Sequence, residues 1–347
     1  MKTPKYILIV LFLGILIIPN LMMLFSRKNS FQPSSIHPKV LVSEFKSYYA
    51  EHYGLKETLL TNYIAFKKNT LKENALPNRI IKGKNEWWFL GNHYNNSLND
   101  AFGVERFSEN DLYKISKYLE SWDTYLKTKN IAFYIIIVPD KNKIYKEHLP
   151  FKMTTKFPMV NQLESYLKDK DLNFINLTSP ILKAKQTNQV YLKNDTHWSS
   201  LGAFAGYKCL LENIQHKFNI KPELLENYSI VNEKSYQGDI PRLVYEEDPI
   251  IKPYLDKSIY NFKQIFDNEY ERHYFNESRE TDILLFHDSF MLAMIPFMNE
   301  TFKNTRFLKS IQLDRAKIEA YQPDIVVLEL VERNLSELIL LKKPLEN

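Results

Sequence analysis

Residues Ile131 to Val138 form an unbroken apolar run, IAFYIIIV, closed by Pro139. A strand with no polar alternation is covered on both faces, and such strands belong to sheets with helices on either side. The flanking sequence repeats the arrangement. Ser108 and Asp111 make a capping-box signature ahead of an amphipathic helix running to about Lys129. A helix near Met159 to Lys168 leads to a strand at Leu172 to Leu177, and another short helix leads to Val190 to Leu192. A helix over Leu201 to Phe218 precedes an irregular stretch, Pro222 to Pro253, and then strands near Ile283 to Phe286 and Asp324 to Leu330. Strands separated by helices at these lengths predict an α/β domain with a doubly wound, mostly parallel sheet flanked by helices.

The N-terminus reads differently. Tyr6 to Phe25 carries no charged residue and has the length, about twenty residues, that a helix needs to cross a bilayer. Leu, Met, Met, Leu and Phe follow Asn20, so no small-residue cleavage site ends the run, and an uncleaved anchor is favoured over a cleaved signal. The expected organisation is a membrane segment at 1–28, a linker at 29–38, and one exported domain at 39–347. That domain opens with helical patterns at Val40 to Tyr53 and Leu55 to Leu71 and a hairpin between Ile80 and Leu90. The expected location is the inner membrane, with the bulk of the chain in the periplasm. The net charge is 46 − 41 = +5 and dispersed, which does not make a nucleic-acid face. The single Cys209 cannot form an intrachain disulfide.

In an open α/β sheet, sites form at the carboxyl ends of strands. Two chemically useful segments stand there: Asn194-Asp195-Thr196-His197-Trp198-Ser199, and His287-Asp288-Ser289-Phe290. A strand, tight turn and helix can present a nucleophilic serine, with N–H groups of the new helix's first turn near a developing oxyanion. Asp195 and His197 are spaced so that the carboxylate holds one ring nitrogen and the other faces a hydroxyl, giving a Ser289, His197, Asp195 triad. Alone, each piece also reads as an ordinary helix cap or a hydrogen-bonded loop. Asp195, His197, His93 and Asp239 also carry scraps of a binuclear metal pattern, but their order and the missing bridging acid argue against it. His287 reads as a packed or capping residue. Trp198 and Tyr94, with Trp87 and Trp88, are candidates for stacking on sugar rings, packing being the commoner role of such aromatics.

The chain resembles the AlgJ/AlgX type of alginate O-acetyltransferase, which has an SGNH hydrolase-like domain. The resemblance is carried by IIKGKNEWWFLG, VPDKNKIY, NDTHWSSLG, QGDIPRL, FHDSF and PDIVVLELVER, in the family's order. It implies Ser289 as nucleophile, His197 as base and Asp195 as its partner. The glycine usual before the Asp-Ser pair is His287 here, and the oxyanion donors beyond the Ser289 N–H are unassigned. The implied function is acetyl transfer to hydroxyls of an exported, alginate-like polysaccharide through an acetyl-serine intermediate. It requires no metal or organic cofactor. The implied partners are the polysaccharide acceptor and a multi-spanning membrane O-acyltransferase that delivers the acetyl group. An esterase with the same residues and a non-catalytic glycan-binding protein are the rival expectations.

Overall fold

The computed structural model describes residues 3–25, 31, 33, 38–71, 76–152, 154, 156–215 and 217–344. Most of the linker expected at 29–38, with Arg27 and Lys28, lies outside the described residues. The chain separates into two compact units, Met1–Ala75 and Leu76–Asn347.

The first unit is helical, with helices at Thr3–Phe25, Pro38–His52 and Lys56–Phe66. The first of these contains an uncharged, exposed stretch, Tyr6–Met23, with a mean hydropathy of 2.5, long and apolar enough to cross a membrane or to serve as a signal sequence. Pro19 interrupts its backbone ladder. Asn20 Nδ2 donates to the Leu16 carbonyl at 2.6 Å and its Oδ1 accepts from Tyr49 Oη at 2.7 Å, which ties the second helix to that point. A Cβ on Gly54 would lie 2.0 Å from the Pro19 carbonyl oxygen, so only glycine permits this approach.

In the second unit the strands are β1 (Ile80–Lys82), β2 (Trp88–Leu90), β3 (Ala132–Val138), β4 (Asn173–Asn176), β5 (Ser229–Gln237), β6 (Pro249–Asp256), β7 (Lys263–Asp267), β8 (Glu271–Phe275), β9 (Ile283–His287), β10 (Asn304–Leu308) and β11 (Ile325–Val331). Seven of them form one sheet in the order β4-β3-β11-β9-β10-β8-β7. β4, β3, β11, β9 and β10 pair in parallel. Along β3, Tyr134, Ile136 and Val138 face one apolar core while Phe133, Ile135 and Ile137 face another. The first core includes residues of the Ser200–Ile214 helix and the second those of the Glu109–Lys127 helix, so both faces of the strand are sealed. The capping box forms as the sequence indicates, with Ser108 Oγ accepting from the Asp111 N–H at 3.2 Å.

The expected mostly parallel sheet is instead mixed, because β8 pairs antiparallel with both β10 and β7. Three residues join β7 to β8, and so short a connection can only reverse the chain. The strand expected at Val190 to Leu192 does not enter the sheet: Tyr191 makes one isolated bridge with Trp198. The stretch from Pro222 to Pro253, expected to be irregular, contains β5 and most of β6, an antiparallel pair.

Candidate active site

β9 and β11 run side by side with Glu329 opposite His287, so the chain leaves β9 at the carboxyl edge of the sheet. Asp288 makes the turn there. Its Oδ1 accepts from the Phe290 N–H at 2.9 Å, and its Oδ2 accepts from the Val331 N–H at 2.8 Å and from Asn334 Nδ2 at 3.1 Å. One carboxylate thus caps the following turn and fastens it to the end of the neighbouring strand. The turn continues as a 3₁₀ helix, Ser289–Met294, before an α-helix at Ile295–Thr301. His287 needs none of glycine's freedom, since positive φ angles occur elsewhere and it ends a regular strand. It is buried, its Nδ1 contacts the Asp288 carbonyl, its ring meets Phe307 edge-on, and burial lowers its pKa.

The second segment is a loop, and its geometry comes from distant residues. Lys141, buried, donates from one ammonium to the carbonyls of Leu192 (3.2 Å), Lys193 (3.2 Å) and Asp195 (2.6 Å). Trp88 N–H bonds the Lys193 carbonyl at 2.9 Å, and Ile240 N–H reaches that of Asn194 at 3.3 Å. A Cβ on Gly238 would sit 2.1 Å from the Asn194 carbonyl oxygen, so glycine is required at this approach. Burial lowers the Lys141 pKa to about 7.

The two segments meet through side chains. His197 Nε2 lies 2.8 Å from Ser289 Oγ, and its Nδ1 lies 2.7 Å from Asp195 Oδ1, which also accepts from the His197 N–H at 2.9 Å. Asp195 Oδ2 accepts from Tyr236 Oη at 2.7 Å and from the Asp239 N–H at 3.2 Å. Burial alone would raise the Asp195 carboxyl, yet the bonds from His197 and Tyr236 outweigh it and hold the pKa well below the usual carboxylate range. For His197, burial works against the charged ring, but Asp195 outweighs it and leaves the pKa above the ordinary value.

Tyr236 was not foreseen as part of this cluster, and Asp239 was grouped with Asp195 and His197 only through the metal pattern. Tyr236 follows a register shift between Glu233 and Tyr236 in β5, where Ser235 has φ 59°. Such a bulge re-aims the next side chain, and here the tyrosine hydroxyl meets Asp195. Asp239 Oδ1 accepts from the Thr196 N–H at 2.7 Å, its Oδ2 accepts from the Thr196 hydroxyl, and Oδ2 lies 3.5 Å from His197 Nδ1. Burial, then the Asp195 charge, raise its pKa. Asp195, His197 and Asp239 are close enough to hold a metal ion, but each carboxylate oxygen already accepts a hydrogen bond within the chain, and His93 is not in the group.

A cavity of about 640 Å³ opens beside Ser289 and His197, walled by Trp198, Tyr236, Tyr254 and Phe297 among others. Trp198 is buried, and its Nε1 donates to the Phe290 carbonyl at 2.8 Å, bracing the loop against the turn. Tyr94 is half-buried and does not line this cavity. Trp87 and Trp88 are packed inside the unit.

The sequence matches a known family. The model for the SGNH hydrolase-like domain of acetyltransferase AlgX covers residues 80–296. The chain belongs to that family. Among its relatives, a protein named probable alginate O-acetylase AlgJ from Pseudomonas syringae pv. tomato is 24% identical over 264 residues, which is 74% of this chain and 64% of the relative. The same-named protein of Pseudomonas putida is 24% identical over 204 residues, 58% of this chain and 50% of the relative. The chain therefore matches between half and just under two thirds of the length of these relatives. Bacillus cereus PatB1, solved with a sulfonyl adduct, shares the fold at a TM-score of 0.56 and 19% identity, over 76% of this chain and 100% of that one. The O-acetyltransferase domain of Pseudomonas putida AlgJ shares it at 0.50 and 17%, over 74% and 92%.

Proposed function

We propose that this protein is an O-acetyltransferase that modifies hydroxyl groups of an exported polysaccharide through an acetyl-serine intermediate. The observation that carries the reading is the continuous hydrogen-bonded chain from Asp195 through His197 to Ser289, ending at an open cavity. The relatives named as alginate O-acetylases and the family match support the same class of reaction.

Ser289 Oγ attacks the carbonyl carbon of a donor acetyl ester while His197 Nε2 takes the hydroxyl proton. Asp195 holds the Nδ1 proton and stabilises the imidazolium that forms. The backbone oxyanion donor is the Ser289 N–H, since the Phe290 N–H is engaged by Asp288. The donor oxygen leaves with the proton returned by His197. A glycan hydroxyl then loses its proton to His197 and attacks the acetyl-serine carbonyl, and Ser289 Oγ leaves by taking that proton back from His197, which regenerates the hydroxyl. The apolar N-terminal helix supports membrane anchoring, and a membrane-embedded acyltransferase is the expected source of the acetyl donor.

The test uses labelled acetate on a chromogenic ester. Wild-type protein should move label onto the glycan, and Ser289→Ala should not. Label released only as free acetate, whether or not glycan is present, would identify an esterase.

A further inference from the structure

The cavity beside Ser289 also constrains its occupant. Among the described residues lining it, Lys252 is the one lysine or arginine and Glu233 the one carboxylate. They stand opposite each other in the β5 and β6 pair, with Lys252 Nζ 3.5 Å from Glu233 Oε2 and 4.1 Å from the Tyr236 ring centroid. The pocket's own cation already has a carboxylate and a ring face as neighbours before any ligand arrives. Two other cations near the site are also committed: Arg333 to the buried Asp140, and Lys141 to its three carbonyls. Asp195 and Asp239 add negative charge beside His197.

A sugar carboxylate seated against Ser289 would lose water, would find the one lining lysine already beside Glu233, and would face that carboxylate. Such a group pays its desolvation cost unless it is paired. An uncharged sugar fits these walls better. Its apolar ring face matches Tyr254 and Leu292, and its hydroxyls can exchange hydrogen bonds with Ser200, Glu233 and Lys252. The chain does not lack basic residues. A separate cavity of about 610 Å³ beside the C-terminal segment carries five lysines and arginines in its walls. Ser289 and His197 are not among the residues that line it.

We propose that the sugar unit presented to Ser289 is neutral, not a uronate. The proposal rests on the reading of Ser289 as acetyl carrier. It is tested with the full chain in detergent, 4-nitrophenyl acetate as donor, and three acceptors of equal length: a mannuronate oligosaccharide, its methyl ester, and the corresponding mannose oligomer. Acetylated product is followed by mass spectrometry, and binding to Ser289→Ala by NMR titration. The ester and the mannose oligomer should be bound and acetylated about tenfold or more better than the free acid. Glu233→Gln, which frees Lys252, should narrow that ratio severalfold. A free acid that matches or exceeds its ester, a ratio indifferent to Glu233→Gln, or a Ser289→Ala protein that binds none of the three would overturn the proposal. The acetyl-carrier reading fails separately, when wild type releases 4-nitrophenol no faster than Ser289→Ala.

Discussion

The His197 loop and the Ser289 turn arrive at one hydrogen bond by opposite routes. The turn is a local product: a buried strand ends, Asp288 caps the next turn, and the hydroxyl projects from it. The loop has almost no regular structure, and its shape is imposed by Lys141, Trp88, Ile240, Tyr236 and Asp239, drawn from three other stretches of the chain. The turn should therefore fail through stability, and the loop through alignment.

The largest effects test whether the two halves act as one device. Ser289→Ala and His197→Ala should each lower turnover of a chromogenic acetate by on the order of 10³-fold or more, and the double variant by scarcely more than either. Asp195→Ala should cost less, because it orients the ring. Multiplying losses in the double variant would mean the two groups work independently.

Next comes the fastening of the loop. Lys141→Met removes three carbonyl contacts without touching a reacting atom. It should lower kcat by roughly 10- to 100-fold through misalignment, leave KM less changed, and be partly rescued by Lys141→Arg. Wild-type kcat in the methionine variant would show that the carbonyls need no ammonium.

On the other side, Asp288→Ala should show itself first in melting temperature. It leaves the Phe290 and Val331 N–H groups and Asn334 without their acceptor. The expected cost is about 1–3 kcal/mol, read from denaturant unfolding. Unchanged stability would break the contrast between turn and loop.

A smaller effect lies in the pH profile. A histidine can act as a base only when neutral, and the pKa of His197 is raised above 6.5 because Asp195 outweighs the burial that would lower it. Activity should therefore climb through an inflection above that value as pH rises. Asp195→Asn removes the stabilising charge, so the inflection should move to lower pH in the residual activity. An inflection that stays in place would locate the titration elsewhere.

The smallest effect concerns Glu329, buried beside Asp288, whose Oε2 accepts the Asp288 N–H at 3.2 Å. Burial, reinforced by the Asp288 charge, pushes its pKa well above the usual range and so favours the uncharged carboxyl. Glu329→Gln should accordingly change stability by only a few tenths of a kcal/mol, measured by thermal unfolding. A large loss would mean the carboxylate is charged and paired.

The residues fixed by short-range rules were legible in the chain. IAFYIIIV reads as β3 because no polar face interrupts it, Ser108 and Asp111 announce their cap within four residues, and His287 to Phe290 follow the end of β9 directly. The Asp-x-His spacing likewise brought Asp195 and His197 together, since a two-residue separation suffices for that bond. Other features were hidden by the same logic. β5 and β6 are short on apolar alternation, because most of β5 is exposed and the pair is held by backbone bonds. Val190 to Leu192 looks like a strand by composition, yet Tyr191 spends its hydroxyl on the Pro139 carbonyl and joins no sheet.

By itself the sequence determined which segments must be buried, where helices begin, and which side chains have the chemistry of a triad, because hydrophobic periodicity and capping act over a few residues. Only the tertiary structure decided that Ser289 lies 2.8 Å from His197, that Tyr236 and Asp239 complete the Asp195 cluster, and that the cavity's charges cancel. The contacts that join Ser289, Tyr236 and Asp239 to the His197 and Asp195 pair span 41 to 92 positions. A local pattern cannot encode them, because the partners become neighbours only after both faces of the sheet have closed.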